Sequence, residues 1–160
     1  MIIPFYLSKK RIIDLQTLFE CVEKYSDSDF YFTKDNIRYY ITNPKVLKNF
    51  LRESVATYVF EKKGGYLGSI NVLKSIGGDK KRYYIKLIAE DFNIAKGLIS
   101  VLTWNFKQDL YIKIRKNYKF VSILKSKGFR FSGGRGSQIL LYRKYIPIPS
   151  KPKEEENKEE

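Results

Sequence analysis

Apolar residues fall at every fourth position from Ile94 through Leu98 and Leu102 to Phe106, and this run constrains the chain more than any other. Ala95, Ile99 and Val101 widen the stripe, as expected of a helix with one buried face, and Trp104, just off it, is expected to pack at its edge. The stripe lies between two strand-like segments, Arg82–Ala89 and Leu110–Ile114. A strand, a helix and a second strand at this spacing predict parallel neighbours joined by a right-handed crossover. Downstream, Phe120, Val121, Ile123 and Leu124 predict a further helix within Asn117–Lys127, stopped by Gly128 as a left-handed cap. Phe129–Phe131 and Ile139–Arg143 then read as a closing hairpin turning at Gly133-Gly134-Arg135-Gly136.

The upstream half supplies the remaining elements. Met1–Leu7 is apolar but lacks leading positive charges and a small-residue cleavage site, so it is expected to be a first strand rather than a signal peptide. Ser8 can cap a helix carrying Ile12, Leu15, Leu18, Phe19 and Val22, which Asp27–Asp29 breaks. Phe30–Phe32 and Ile37–Ile41 predict two short strands turning at Asp35-Asn36. Asn43-Pro44 opens a short helix with Val46, Leu47, Phe50 and Leu51 inside. Val55–Phe60, Tyr66–Leu73 and Arg82–Ala89 predict an antiparallel meander, with turns at Glu61–Gly65 and Ile76–Asp79.

The chain of 160 residues is expected to hold one domain over residues 1–145, followed by a proline-containing, acidic, flexible tail over 146–160. No apolar run reaches the roughly 18 residues of a membrane span. The lone cysteine, Cys21, has no internal partner, so a reducing compartment, the cytoplasm, is expected. Absent histidine and a single cysteine argue against a metal site. The net charge is +14, and the body without its last ten residues carries 28 basic against 12 acidic residues. Such a field attracts polyanions and predicts weak, non-specific nucleic-acid binding at low salt, although basic residues also serve solubility. Tyrosines interleaved with cations, as in Lys81-Arg82-Tyr83-Tyr84 and Tyr111-Ile112-Lys113-Ile114-Arg115-Lys116, suit base stacking on a basic groove. A sheet with one apolar and one basic face explains them equally well.

From Val55 to Tyr145 the order of elements resembles the GNAT fold, the Gcn5-related N-acetyltransferase superfamily. The segment Glu61–Ile70 is similar to the family's second hairpin. Asn117, followed eleven and twelve residues later by Gly128-Phe129, is similar to its asparagine–helix–Gly-Phe ending. The resemblance implies an α+β (α/β sandwich) fold: a mixed, mostly antiparallel sheet of six or seven strands flanked by about four helices. It also implies acetyl-CoA as the cofactor. The pantetheine arm would lie along Leu87, Ile88 and Ala89, and the pyrophosphate at the helix start among Asn93, Ile94 and Ala95, with Asn117 nearby.

The chain departs from the family's phosphate loop and from its acid. Glu90 stands where glutamine or arginine is usual and Asn93 where the first glycine belongs, so Glu90 and Asp91 bring negative charge to a phosphate position. Asp91 and Asn93 also read as ordinary caps of the helix. Leu124 occupies the place of the family's tyrosine acid. Glu61, Glu90 and Tyr118 remain as catalytic candidates by residue type. The reading is therefore a GNAT-fold protein with a degenerate acetyl-CoA loop, weakly active or non-catalytic, binding within an assembly. An active N-acetyltransferase acting on an amine and a basic nucleic-acid-binding module are the alternatives.

Overall fold

A computed structural model describes residues 1–5, 8–20, 31–34, 37–40, 43–63, 65–77, 80–136 and 138–147. The elements are β1 (Ile2–Pro4), α1 (Lys9–Glu20), β2 (Tyr31–Lys34), β3 (Ile37–Tyr40) and α2 (Pro44–Glu53). There follow β4 (Ser54–Lys62), β5 (Gly65–Gly77), β6 (Lys80–Ala89), α3 (Phe92–Asn105), β7 (Leu110–Arg115), α4 (Val121–Ser126), β8 (Arg130–Arg135) and β9 (Gln138–Arg143). Cys21, the Asp35-Asn36 turn and the tail beyond Pro147 lie outside the described residues.

Seven strands form one sheet in the order β1-β4-β5-β6-β7-β9-β8, and β2 pairs with β3 separately. β4, β5 and β6 are the expected meander; β6 and β7 are the parallel pair that α3 connects. The sheet is mostly antiparallel and, with four helices among the described residues, matches the α+β architecture expected.

Local chemistry explains where the helices begin. Ser8 Oγ accepts from the Arg11 amide at 3.2 Å. Asn43 Oδ1 accepts from the amides of Lys45 at 3.0 Å and Val46 at 3.4 Å, with Pro44 at the first helical position. α1 and α2 bury Leu15, Leu18, Leu47, Phe50 and Leu51 against Val59 and Ile88 on one face of the sheet. On the other face α3 and α4 bury Leu98, Ile99, Leu102, Ile123 and Leu124 against Ile70, Leu87 and Ile112. At its C-terminal end β6 is thus buried on both faces, which is why Ile85 to Ala89 is nearly all apolar. Ser69 and Asn71 are the buried polar side chains among the described residues. They satisfy each other and Thr57, through Ser69 Oγ to Asn71 Oδ1 at 2.9 Å and Asn71 Nδ2 to Thr57 Oγ1 at 2.9 Å.

Two local expectations fail. The last hairpin does not turn across its whole glycine run, because Gly133 and Gly134 lie within β8, beside a bulge that follows Phe131. A Cβ on Gly134 would sit 2.7 Å from the Gln138 carbonyl oxygen, so glycine here permits close strand approach. The turn itself uses Gly136, at φ +63°. Trp104, expected to pack at the edge of its helix, is 74% exposed, since α3 buries Ile94, Ala95, Leu98, Ile99 and Leu102 and Trp104 falls outside that face.

Candidate functional site

β6 and β7 pair as parallel strands at one register position, Tyr84 with Tyr111. C-terminal to that pair no further pairing among the described residues joins the two strands, and we call the interval beside Leu87, Ile88 and Ala89 on β6 the wedge. These three side chains are buried, so any ligand there would meet backbone rather than side chain. Tyr118, three residues beyond β7, enters the wedge. It is 3% exposed, its ring packs edge-on against Phe120 at 5.4 Å, and its hydroxyl donates to the Leu87 carbonyl at 3.5 Å. No local pattern places this hydroxyl, because its partner lies 31 residues away on another strand.

The wedge opens toward the start of α3. Asp91 caps that helix: Oδ1 accepts from the Ile94 amide at 2.9 Å, and the Ala95 amide donates to the Asp91 carbonyl at 3.1 Å. The Glu90 amide donates to the Leu67 carbonyl at 2.9 Å, carrying the β5–β6 ladder one residue beyond the strand. Glu90, Asp91 and Asn93 are exposed, while Ile94 and Ala95 are sealed in the core. Gly68 makes that seal possible, because a Cβ there would lie 2.6 Å from Ile94 Cγ2 and 2.9 Å from Leu98 Cδ1.

Leu87, Ile88, Ala89, Glu90, Asn93, Ile94 and Ala95 run along the end of β6 into α3, and Tyr118 meets Leu87. Asn117 is exposed in the turn just before Tyr118. Glu61 is elsewhere. It pairs with Tyr66 at the end of the β4–β5 hairpin and lines a cavity of about 330 Å³ with Met1, Lys10, Asp14 and Tyr66. Two strands, β5 and β6, separate it from the wedge. Burial raises the Tyr66 hydroxyl above its ordinary pKa; Arg11 counters this, and Glu61 and Asp14 add to it. Leu124, at the family's tyrosine position, is fully buried in the core.

The seven-strand order, its parallel pair and the helix that crosses between them are shared with solved structures. The chain has the GNAT fold. Among similar solved structures is an acetyltransferase of the GNAT family from Streptococcus pneumoniae, 13% identical with a TM-score of 0.64 over 91% of this chain and 100% of that one. An N-acetyltransferase from Staphylococcus aureus Mu50 is 13% identical with a TM-score of 0.65, over 90% and 97% of the two chains. The PaiA N-acetyltransferase of Thermoplasma acidophilum, solved with coenzyme A, is 17% identical with a TM-score of 0.61, over 91% and 99%. No family model matches the sequence, and no curated protein does. Such low identity fits a divergent GNAT fold.

Acetyl-CoA fits this site only in part. Beyond the Tyr84–Tyr111 pair no ladder among the described residues joins β6 to β7, but the Leu87 carbonyl there already accepts from the Tyr118 hydroxyl. The pyrophosphate end is a poor match, because a carboxylate already takes the Ile94 amide and two acids stand at the mouth. No cluster of histidine, cysteine, aspartate or glutamate suited to a metal occurs among the described residues.

Proposed function

We propose that this GNAT-fold protein acts by binding rather than by efficient acetyl transfer, as one component of a larger assembly. The observation that carries this reading is the Asp91 carboxylate on the Ile94 amide, at the helix start where a coenzyme pyrophosphate would need free donors. Tyr118 in the wedge and Leu124 in the core support it. The test is a thermal melt with acetyl-CoA. A ligand at one hundred times its dissociation constant adds about 2.7 kcal/mol, a shift easily seen, and none is expected at millimolar acetyl-CoA. A clear upward shift would overturn the reading.

A second reading, an active N-acetyltransferase acting on an amine, is favoured by the Tyr118 hydroxyl, an O–H donor inside the wedge. It requires free thiol to appear when the protein meets acetyl-CoA and a panel of amines. No release, or release unchanged in Tyr118→Phe, would remove this second reading in its Tyr118-dependent form.

A further inference from the structure

The other half of β6 has a different character. Tyr84 on β6 pairs with Tyr111 on β7, Tyr111 with Tyr142 on β9, and Tyr142 with Arg130 on the edge strand β8. Residues directly opposite across paired strands share a face, so these four side chains form one row across four strands. Strand spacing makes the row about 14 Å long. Its rings touch: centroids are 5.5 Å apart between Tyr84 and Tyr111, and 4.9 Å between Tyr111 and Tyr142. The row points away from α3 and α4, since Leu110, Ile112 and Leu141, its neighbours in sequence, fill the core on the other side. All three tyrosines are half-buried and Arg130 is exposed.

Cations flank the row. The Arg82 guanidinium lies over the Tyr111 ring at 4.8 Å, and the Lys113 ammonium over the Tyr84 ring at 5.2 Å. Arg82, Tyr111, Tyr142 and Tyr145 also line a cavity of about 440 Å³ with Lys81 and Lys107. The acid in this cavity is Asp109, already committed as acceptor to the Tyr142 hydroxyl at 3.0 Å and the Tyr145 amide at 2.8 Å. Net positive charge and a row of rings are therefore built into one sheet face, outside the wedge.

We propose that this face binds single-stranded nucleic acid, with Arg82, Lys113 and Arg130 on the phosphates and the tyrosine row against the bases. Charge alone would attract any polyanion. The rings select for unpaired bases, whose faces a duplex keeps stacked inside. A salt-dependent affinity follows from counterion release.

The test is fluorescence anisotropy of a labelled single-stranded oligonucleotide of about 20 bases, titrated with the full chain at about 50 and 200 mM salt. The triple variant Arg82→Gln, Lys113→Gln, Arg130→Gln is compared with Lys45→Gln, Lys96→Gln, Lys125→Gln, which removes equal charge from exposed positions on the helices. The first should weaken binding about ten-fold or more and the second less than about three-fold. Tyr111→Leu, at unchanged charge, should also weaken it about ten-fold. If that variant does not fold, the charge-matched pair still decides. Equal losses in the two triples would overturn the proposal. So would a duplex binding as tightly as the single strand, or polyglutamate competing as well as unlabelled oligonucleotide.

Discussion

The two halves of β6 sit on the same strand and have opposite chemistry. At the C-terminal half Leu87, Ile88 and Ala89 are buried from both sides, the exit is acidic at Glu90 and Asp91, and Tyr118 enters the gap beside them. At the N-terminal half Arg82 and Tyr84 are partly exposed, and the strand joins a basic, aromatic row. The family resemblance would put a coenzyme at the first half, where this chain is packed, capped and negatively charged. The difference teaches that sharing a scaffold does not fix the chemistry of the groups placed on it.

If the C-terminal half is a sealed core, breaking the seal must be costly. Leu98→Ala should have the largest effect, because Leu98 is fully buried against Gly68 and the β5–β6 pair. A loss of about 2–5 kcal/mol is expected from urea denaturation. By contrast Lys113→Gln, on the open half, should remain within about 0.5 kcal/mol of the parent. Comparable losses at the two positions would dissolve the contrast between the halves.

Gly68→Ala addresses the same seal from the opposite strand. The added methyl meets the ends of Ile94 and Leu98, which can shift, and the Ile88 carbonyl oxygen at 3.2 Å, which cannot do so freely. A loss of about 1–2 kcal/mol is expected, at the lower part of the range for overpacking. An unchanged denaturation midpoint would mean that α3 is seated more loosely on β5 than its contacts imply.

Much of this fold was legible in the sequence. Its helix stripes, the Asn43-Pro44 start and the Gly128 stop are local signals, and the described elements follow them. The acidic mouth was legible too, since Glu90 and Asp91 are neighbours in the chain. What escaped was non-local. Tyr118 reaches Leu87 across a strand separation that no local pattern encodes, and the two are 31 residues apart. Tyr84, Tyr111, Tyr142 and Arg130 come from four separate strands and align only through the register of three pairings. The glycines of the last hairpin misled because a residue that permits a turn also permits a close strand approach.

Asp91→Ala sharpens the account of the wedge mouth. Removing the carboxylate leaves the Ile94 amide without its cap, and a loss of about 1 kcal/mol is expected in a thermal or urea melt. The same variant removes one of the two negative charges at the mouth. A melt of this variant with acetyl-CoA then asks whether the carboxylate bears on coenzyme binding. No stability loss would show that the cap contributes little to the start of α3.

The smallest expected effect lies on the open half, at Tyr142. Burial first, and then the bond to Asp109, hold its hydroxyl protonated above the ordinary value of 10.0. A tyrosine with a raised folded pKa favours the fold while protonated. Its contribution is complete below the unfolded value and is lost as pH rises through the folded one. Tyr142→Phe should therefore cost about 0.5–1 kcal/mol at neutral pH, for the lost bond to Asp109. It should also make the alkaline fall in stability shallower than in the parent, read from urea midpoints between about pH 8 and pH 11. Tyr66, raised by burial at the other end of the sheet, titrates in both proteins and leaves part of the alkaline fall in place. An identical pH dependence in parent and variant would show that the Tyr142–Asp109 bond does not organise the base of the tyrosine row, and the row would have to be held by strand register alone.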